Sequence, residues 1–226
     1  MFCDNTRLLR SIASEEDVEV QSDLNKIYHW AEQNNMEFND QKFEVLRYGT
    51  NNNIKENTFY LSSNQEIIEE KEHLRDLGLE MSNSASFADH IDKVCSKVKQ
   101  KTGWVLRTFN SRSPFFMKTI WRQLVQPHID YCSQVYQPVT GGELLRLEEL
   151  QKYFISRINV PNDNYWERLH LMKMTSIQRR FERYRLIYVW KNLRGVVPNC
   201  NVSFSQHPRF GRHANFQLKR NKIYSD

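Results

Sequence analysis

The residues best able to do chemistry fall into three groups. At the start of the chain Asp4 and Asn5 stand side by side in Met1-Phe2-Cys3-Asp4-Asn5-Thr6. A carboxylate beside an amide carbonyl places two hard oxygen donors together, of which only Asp4 brings charge. Further on, Lys93, Lys97 and Lys101 recur every fourth residue, with Lys99 and Arg107 nearby. On a helix that spacing makes a cationic row suited to a phosphate backbone. Arg179, Arg180, Arg183 and Arg185 crowd into seven residues against Glu182 alone. Arg179 shares a helical face with Arg183, as does Arg180, and guanidinium groups bind phosphates in bidentate fashion. His128 and Cys132 lie four apart, but two ligands without a second pair point to helix packing rather than to zinc. Asp17, Asp23 and Asp76 read as solvated acids, because their spacing meets no metal-site requirement.

Charge divides the chain as sharply as these groups do. The 226 residues carry a net +5, yet residues 1–90 hold 8 Lys and Arg against 18 Asp and Glu, and residues 91–226 hold 24 against 9. The asymmetry suggests an acidic body and a basic one, the latter a candidate polyanion surface. Four scattered cysteines without a C-x-x-C pair fit a reducing compartment. No apolar run approaches 18 residues and Met1 leads directly into polar residues, so the sequence predicts an intracellular protein without a membrane partner.

The elements that must position these groups can be read from periodicity. Ser14-Glu15-Glu16-Asp17 resembles a capped helix start, and Val20, Leu24, Ile27, Tyr28 and Ala31 follow at helical spacing. Residues 1–10 read as a strand and turn, and strands are expected at Phe43–Gly49, Thr58–Leu61 and Leu74–Leu79. Beyond Ser82 the pattern becomes helical. Phe87, Ile91, Val94, Val98, Val105 and Phe109 form one stripe. Ser113-Pro114 opens a second helix that Pro127 should kink, and Leu144, Leu147, Phe154 and Ile158 mark a third. A basic helix spans Ser176 to Leu193 before Gly195 and Pro198. Trp104, Trp121, Trp166 and Trp190 sit among apolar helical residues and are expected in the core. Residues 199–226 lack periodicity and read as a partly disordered basic tail.

The opening hexapeptide resembles the catalytic hairpin of non-long-terminal-repeat (LINE- or jockey-like) retrotransposon reverse transcriptases, typically Met-Phe-Ala-Asp-Asp-Thr. Phe2, Asp4 and Thr6 match; Cys3 and Asn5 depart from it. Asn35-Met36-Glu37-Phe38-Asn39-Asp40-Gln41-Lys42 is similar to the family's next motif, with Lys42 as its lysine, and His73-Leu74-Arg75-Asp76-Leu77-Gly78-Leu79 resembles the primer grip. Gly103-Trp104, Pro127-His128-Ile129-Asp130-Tyr131-Cys132 and Leu147-Glu148-Glu149-Leu150-Gln151-Lys152 resemble the thumb region, and the likeness runs to about residue 200.

The resemblance implies an α+β fold: a partial palm over residues 1–82, a helical thumb over 83–160 and a basic helical segment with a tail over 161–226. It implies descent from an RNA-directed DNA polymerase, with Asp4, Asn5 and Lys42 at catalytic positions. Leu77, Gly78, Lys93, Lys97, Lys101, Arg179, Arg180 and Arg183 would then lie against an RNA/DNA template-primer. The family enzyme uses Mg²⁺, for which the resemblance leaves Asp4 as a residual, weak ligand, and two-metal catalysis needs several carboxylates. This sequence lacks both the family's upstream aspartate and the second hairpin aspartate. The expectation is therefore no stably bound cofactor and no polymerisation by this chain alone. The alternatives are a helical interaction module, docking for example on an intact retrotransposon polymerase, and an inert relic of the element.

Overall fold

The computed structural model describes residues 7–10, 19–48, 58–136, 138, 140–161, 163–197, 204–206 and 216–218. Asp4, Asn5, Asp17, the helix start at Ser14 and the tail cations Arg209, Arg212, Lys219, Arg220 and Lys222 lie outside these residues. The described part combines a majority of helix with short strands, an α+β composition in general terms.

Helix α1 (Glu19–Gln33) buries Leu24 and Ala31, seven residues apart on one face. It ends where Asn35 takes a left-handed backbone (φ 52°), with the Met36 amide bonded to the Ala31 carbonyl and the Asn35 amide to that of Glu32. These two bonds close the last turn in the Schellman pattern. A 3-10 turn (Asp40–Lys42) follows, and Phe38 packs edge to face on Tyr28 (5.8 Å) and Phe43 (5.7 Å), which lie tilted against each other at 5.5 Å.

The strands expected here are mostly cut short. Only Glu44–Val45 (β1) pairs, in parallel, with Glu69–Glu70 (β2). Of Thr58–Leu61 only Leu61 pairs, through a single bridge to Ile67. Alternation alone does not make a strand without a neighbour to complete its hydrogen bonds. The third expectation becomes a hairpin, His73–Asp76 (β3) and Leu79–Ser82 (β4), antiparallel with Asp76 opposite Leu79. Its two-residue turn needs positive φ at both positions, and Leu77 (45°) and Gly78 (84°) supply it.

The helical body is built from α2 (Ala88–Thr108), α3 (Pro114–Ile120), α4 (Gln126–Asp130), α5 (Gly141–Ser156), α6 (Tyr165–Leu171) and α7 (Ile177–Leu193). The α2 stripe buries Ile91, Val94, Val98 and Val105 as its spacing predicts, with Cys95 and Thr102 beside them. Between α3 and α4 the chain widens into one π turn (Trp121–Val125), in which the Gln126 amide reaches back five residues to the Trp121 carbonyl. The irregularity falls just before Pro127, which has no amide to give. It aims Trp121 and Val125 together into the core, where the indole packs on Phe154 at 4.8 Å between ring centres.

Helix α5 starts with a reciprocal capping box: the Glu143 amide donates to Thr140 Oγ1 at 3.2 Å and the Thr140 amide to Glu143 Oε2 at 3.1 Å. Glu148, on α5, accepts the amides of Ile177 (2.9 Å) and Gln178 (3.2 Å) and the Tyr165 hydroxyl. One carboxylate thus ties α6 and the positive end of α7 to α5.

One core draws on residues from all three segments expected from the sequence. Leu79 of β4 belongs to the same core as α2, Met81 packs against it, and the Tyr131 hydroxyl donates to the Leu77 carbonyl at 2.5 Å. The hairpin thus packs on the helices, while its Asp76 also pairs with Arg7 at 2.6 Å. Leu169, Met172, Met174, Ile177 and Phe181 also join that core, so no packing boundary falls at residues 160/161. The strands at Phe204–Gln206 (β5) and Phe216–Leu218 (β6) pair antiparallel within the expected tail.

His90 stands at the seam between hairpin and helices. Its Nδ1 accepts the Glu80 amide at 3.3 Å, and its ring lies 4.6 Å from that of Tyr136. Burial, opposed by Glu80 and aided by Lys93, holds its pKa below the ordinary 6.5. Below that value the unfolded chain binds a proton that the folded one refuses, so stability falls as pH drops from about 6.5 towards the lowered folded value. His90→Asn keeps an acceptor for the Glu80 amide and should flatten this part of the Tm-versus-pH curve. An unchanged slope would assign the acid sensitivity to other groups.

Candidate nucleic-acid interface

The α2 row divides once its neighbours are in place. Lys93 forms an ion pair with Glu80 at 2.8 Å, and Arg75 approaches the same carboxylate at 3.7 Å. Lys97 is exposed and Lys101 half-exposed, and neither has an ion pair among the described residues. Both act on His128 of α4: burial first, then the charges of Lys97 and Lys101, press its imidazole pKa below 6.5. Two lysines and an imidazole they hold towards its neutral form thus share one patch, and a polyanion there would relieve the repulsion between the lysines.

The second patch lies on α7. Arg179 and Arg183 are exposed one turn apart. Arg180, expected among the phosphate ligands, is instead 7% exposed and turns inward to Asp130 at 3.5 Å. Asp130 also accepts the Tyr184 hydroxyl at 3.0 Å and the Gln126 side-chain amide at 2.8 Å. A cation one residue from Arg179 points about 100° away from it around a helix, far enough here to face the core. Arg180 is therefore a structural cation. Helix α4 joins the two basic helices, presenting His128 towards Lys97 and Lys101 and Asp130 towards Arg180.

The remaining sequence candidates are dispersed. Lys42 is exposed at the end of the 3-10 turn, whose Asn39 cap accepts the Gln41 amide at 3.2 Å. Beside it, α1 and residues 36–41 and 61–65 enclose an open cavity of about 1100 Å³. Asp40 there gathers the Tyr28 hydroxyl (3.2 Å), Asn64 (3.1 Å) and Ser63. Burial and Asp40 together push the Tyr28 phenol up to about 12. Leu77 and Gly78 form the exposed hairpin tip, which Tyr131 braces from behind. Asp23 is paired with Arg10 and Lys26, and Asp76 with Arg7 at 2.6 Å. Among the described residues no three His, Cys, Asp or Glu side chains come together as metal ligands. No helix of the described residues is long and apolar enough to cross a membrane.

The tryptophans overturn a further expectation. Only Trp121 is buried, whereas Trp104, Trp166 and Trp190 are roughly half or more exposed. Helical spacing placed them near apolar residues but on the edge of the covered stripe. The sequence signal that could have marked Trp166 is the Asn164 cap two residues before it, which accepts the Trp166 amide and places the indole in the first turn of α6.

No protein-family model matches the chain, and no solved structure matches it. It is similar to the Caenorhabditis elegans protein named uncharacterized protein B0403.1, 29% identical over 112 residues, which cover 47% of this chain and 56% of that protein. The chain thus spans just over half the length of the relative it matches.

Proposed function

We propose that this chain is the C-terminal part of a non-long-terminal-repeat retrotransposon reverse transcriptase, comprising the end of the palm, the thumb and the helices that follow. In this reading it retains template-primer binding without catalysis of its own. The observation that carries the binding is the pair of outward cationic patches, Lys97 and Lys101 on α2 and Arg179 and Arg183 on α7, on helices that α4 fastens together. Phosphate recognition needs such cations on a firm support and little else. The ordered motif series from Phe2 to Arg185 supports the family origin. With Asn5 in place of the second hairpin aspartate, the hairpin residues of this chain bring one carboxylate, Asp4, where two metals need several.

Fluorescence anisotropy of a labelled RNA–DNA primer-template at several salt concentrations tests the binding. Affinity should fall steeply with salt. Absent or salt-independent binding by protein that circular dichroism shows to be folded would sink it. Primer extension with Mg²⁺ or Mn²⁺ should give no templated product, and Asn5→Asp should not restore any.

A second reading has its own observation. In the outer half of α7 Leu186, Trp190 and Leu193 are exposed at helical spacing, as is Val196 beyond it. Such a face suits an interaction module. Co-purification with an intact reverse transcriptase, without affinity for nucleic acid, would favour it.

A further inference from the structure

At the corner between α6 and α7 lies a cavity of about 350 Å³ that no catalytic expectation touches. Its chemistry is mixed in a particular way. Trp166 offers an indole that is 60% exposed, steadied by Tyr165 at 5.1 Å. His170, one helical turn further, and Arg179, in the first turn of α7, bring cationic or hydrogen-bonding groups to the same walls. The apolar side is closed by Leu169 and Met174, both buried.

Arg179 spends only its backbone amide locally, on Ser176 Oγ at 3.3 Å. Among the described residues its guanidinium has no ion pair, and neither ring nitrogen of His170 has a partner. The amides that a helix start normally leaves open are taken on α7 by Glu148 and Ser176, so the helix end itself is not the attraction. What stays open is a flat aromatic face beside two groups fit for phosphate.

We propose that this cavity binds one unpaired nucleotide of a single strand, its base stacked on Trp166 and its phosphate held by Arg179 and His170. The volume falls within the range of small-ligand pockets, roughly 300–1,000 Å³. Stacking on an aromatic side chain is tolerant of sequence because every base has a π-face. Arg183, one turn beyond Arg179, continues the cationic track for the neighbouring phosphate. The inference rests on the nucleic-acid reading above and adds to it. Lys97 and Lys101 would grip the duplex, while the corner would take the strand where it leaves the duplex. Trp166 anchors none of the core: Leu169 does that for α6, so truncating the indole should spare the fold.

The test uses the full chain and three labelled probes: a blunt RNA–DNA duplex, the same duplex with a short single-stranded overhang (RNA in one arm, DNA in the other) and the free single strand. The overhang should raise affinity about ten-fold over the blunt duplex, the size expected for one stacked base. Trp166→Ala should remove that gain and leave blunt-duplex affinity unchanged, whereas Trp166→Phe, which keeps a stacking face, should retain most of it. His170→Ala should lower the gain only in part. A gain in the RNA arm alone would assign recognition to the 2′-hydroxyl as well; equal gains would assign it to base and phosphate only. An overhang that adds nothing, or a gain that survives Trp166→Ala, overturns the proposal even if the blunt duplex binds. Failure of the blunt duplex sinks the thumb reading instead, and the free strand then decides the cavity by its dependence on Trp166.

Discussion

Replacing Asp130 by alanine is expected to destabilise the helical body by about 3–5 kcal/mol, the cost typical of leaving a buried charge without its partner. The carboxylate accepts from Arg180, Tyr184 and Gln126, and so joins α4 to the first two turns of α7. Without it the Arg180 guanidinium, almost wholly buried, keeps its charge but loses its counter-ion. The Tyr184 hydroxyl also loses its acceptor; its phenol pKa, raised by burial first and Asp130 second, should move back towards 10.0. Urea unfolding followed by circular dichroism measures the loss. Asp130→Asn should cost less, because an amide oxygen still accepts from Tyr184. The double variant Asp130→Ala with Arg180→Met should recover much of the difference, since it removes the stranded charge together with its partner. If Asp130→Ala costs under about 1 kcal/mol, Arg180 is reaching water and belongs with the exposed cations after all.

Reversing four charges, with Lys97→Glu, Lys101→Glu, Arg179→Glu and Arg183→Glu together, is expected to cut affinity for the primer-template at least a hundred-fold at low salt. The more diagnostic effect is on slope. Each phosphate contact contributes about 0.9 to the dependence of log K on log salt, so losing four should flatten it by roughly 3–4. All four side chains are exposed or half-exposed and the two lysines have no ion pair among the described residues, so the fold should not suffer. Lys26→Gln is the matched control. That lysine is equally accessible but is paired with Asp23 on the acidic half, and its loss should leave the slope unchanged within about 0.5. A quadruple variant whose slope matches that of the parent would remove α2 and α7 from the interface and leave the exposed apolar face of α7 as the better guide to function.

The helices were legible in the sequence because their information is local. The stripe through Ile91, Val94, Val98 and Val105, the Ser113-Pro114 start and the Ser176 start are each written within a few residues, and each reappears as a helix or its cap. The strands were less so. Phe43–Gly49 and Thr58–Leu61 carry strand-like composition, but a strand exists only with a partner, and the chain gives these little more than two paired residues and one bridge.

What the tertiary structure alone decided is which side of each helix is covered. Arg179 and Arg180 are indistinguishable in sequence, yet one faces outward and the other is sealed against Asp130, fifty residues away. Trp121 and Trp166 both sit among apolar neighbours. A π turn carries the first into the core, whereas the second stands at a helix end where nothing closes over it. Periodicity fixes the angle between two side chains on one helix. It is silent on where the next helix lies, and that placement separates a structural cation from a candidate ligand for phosphate.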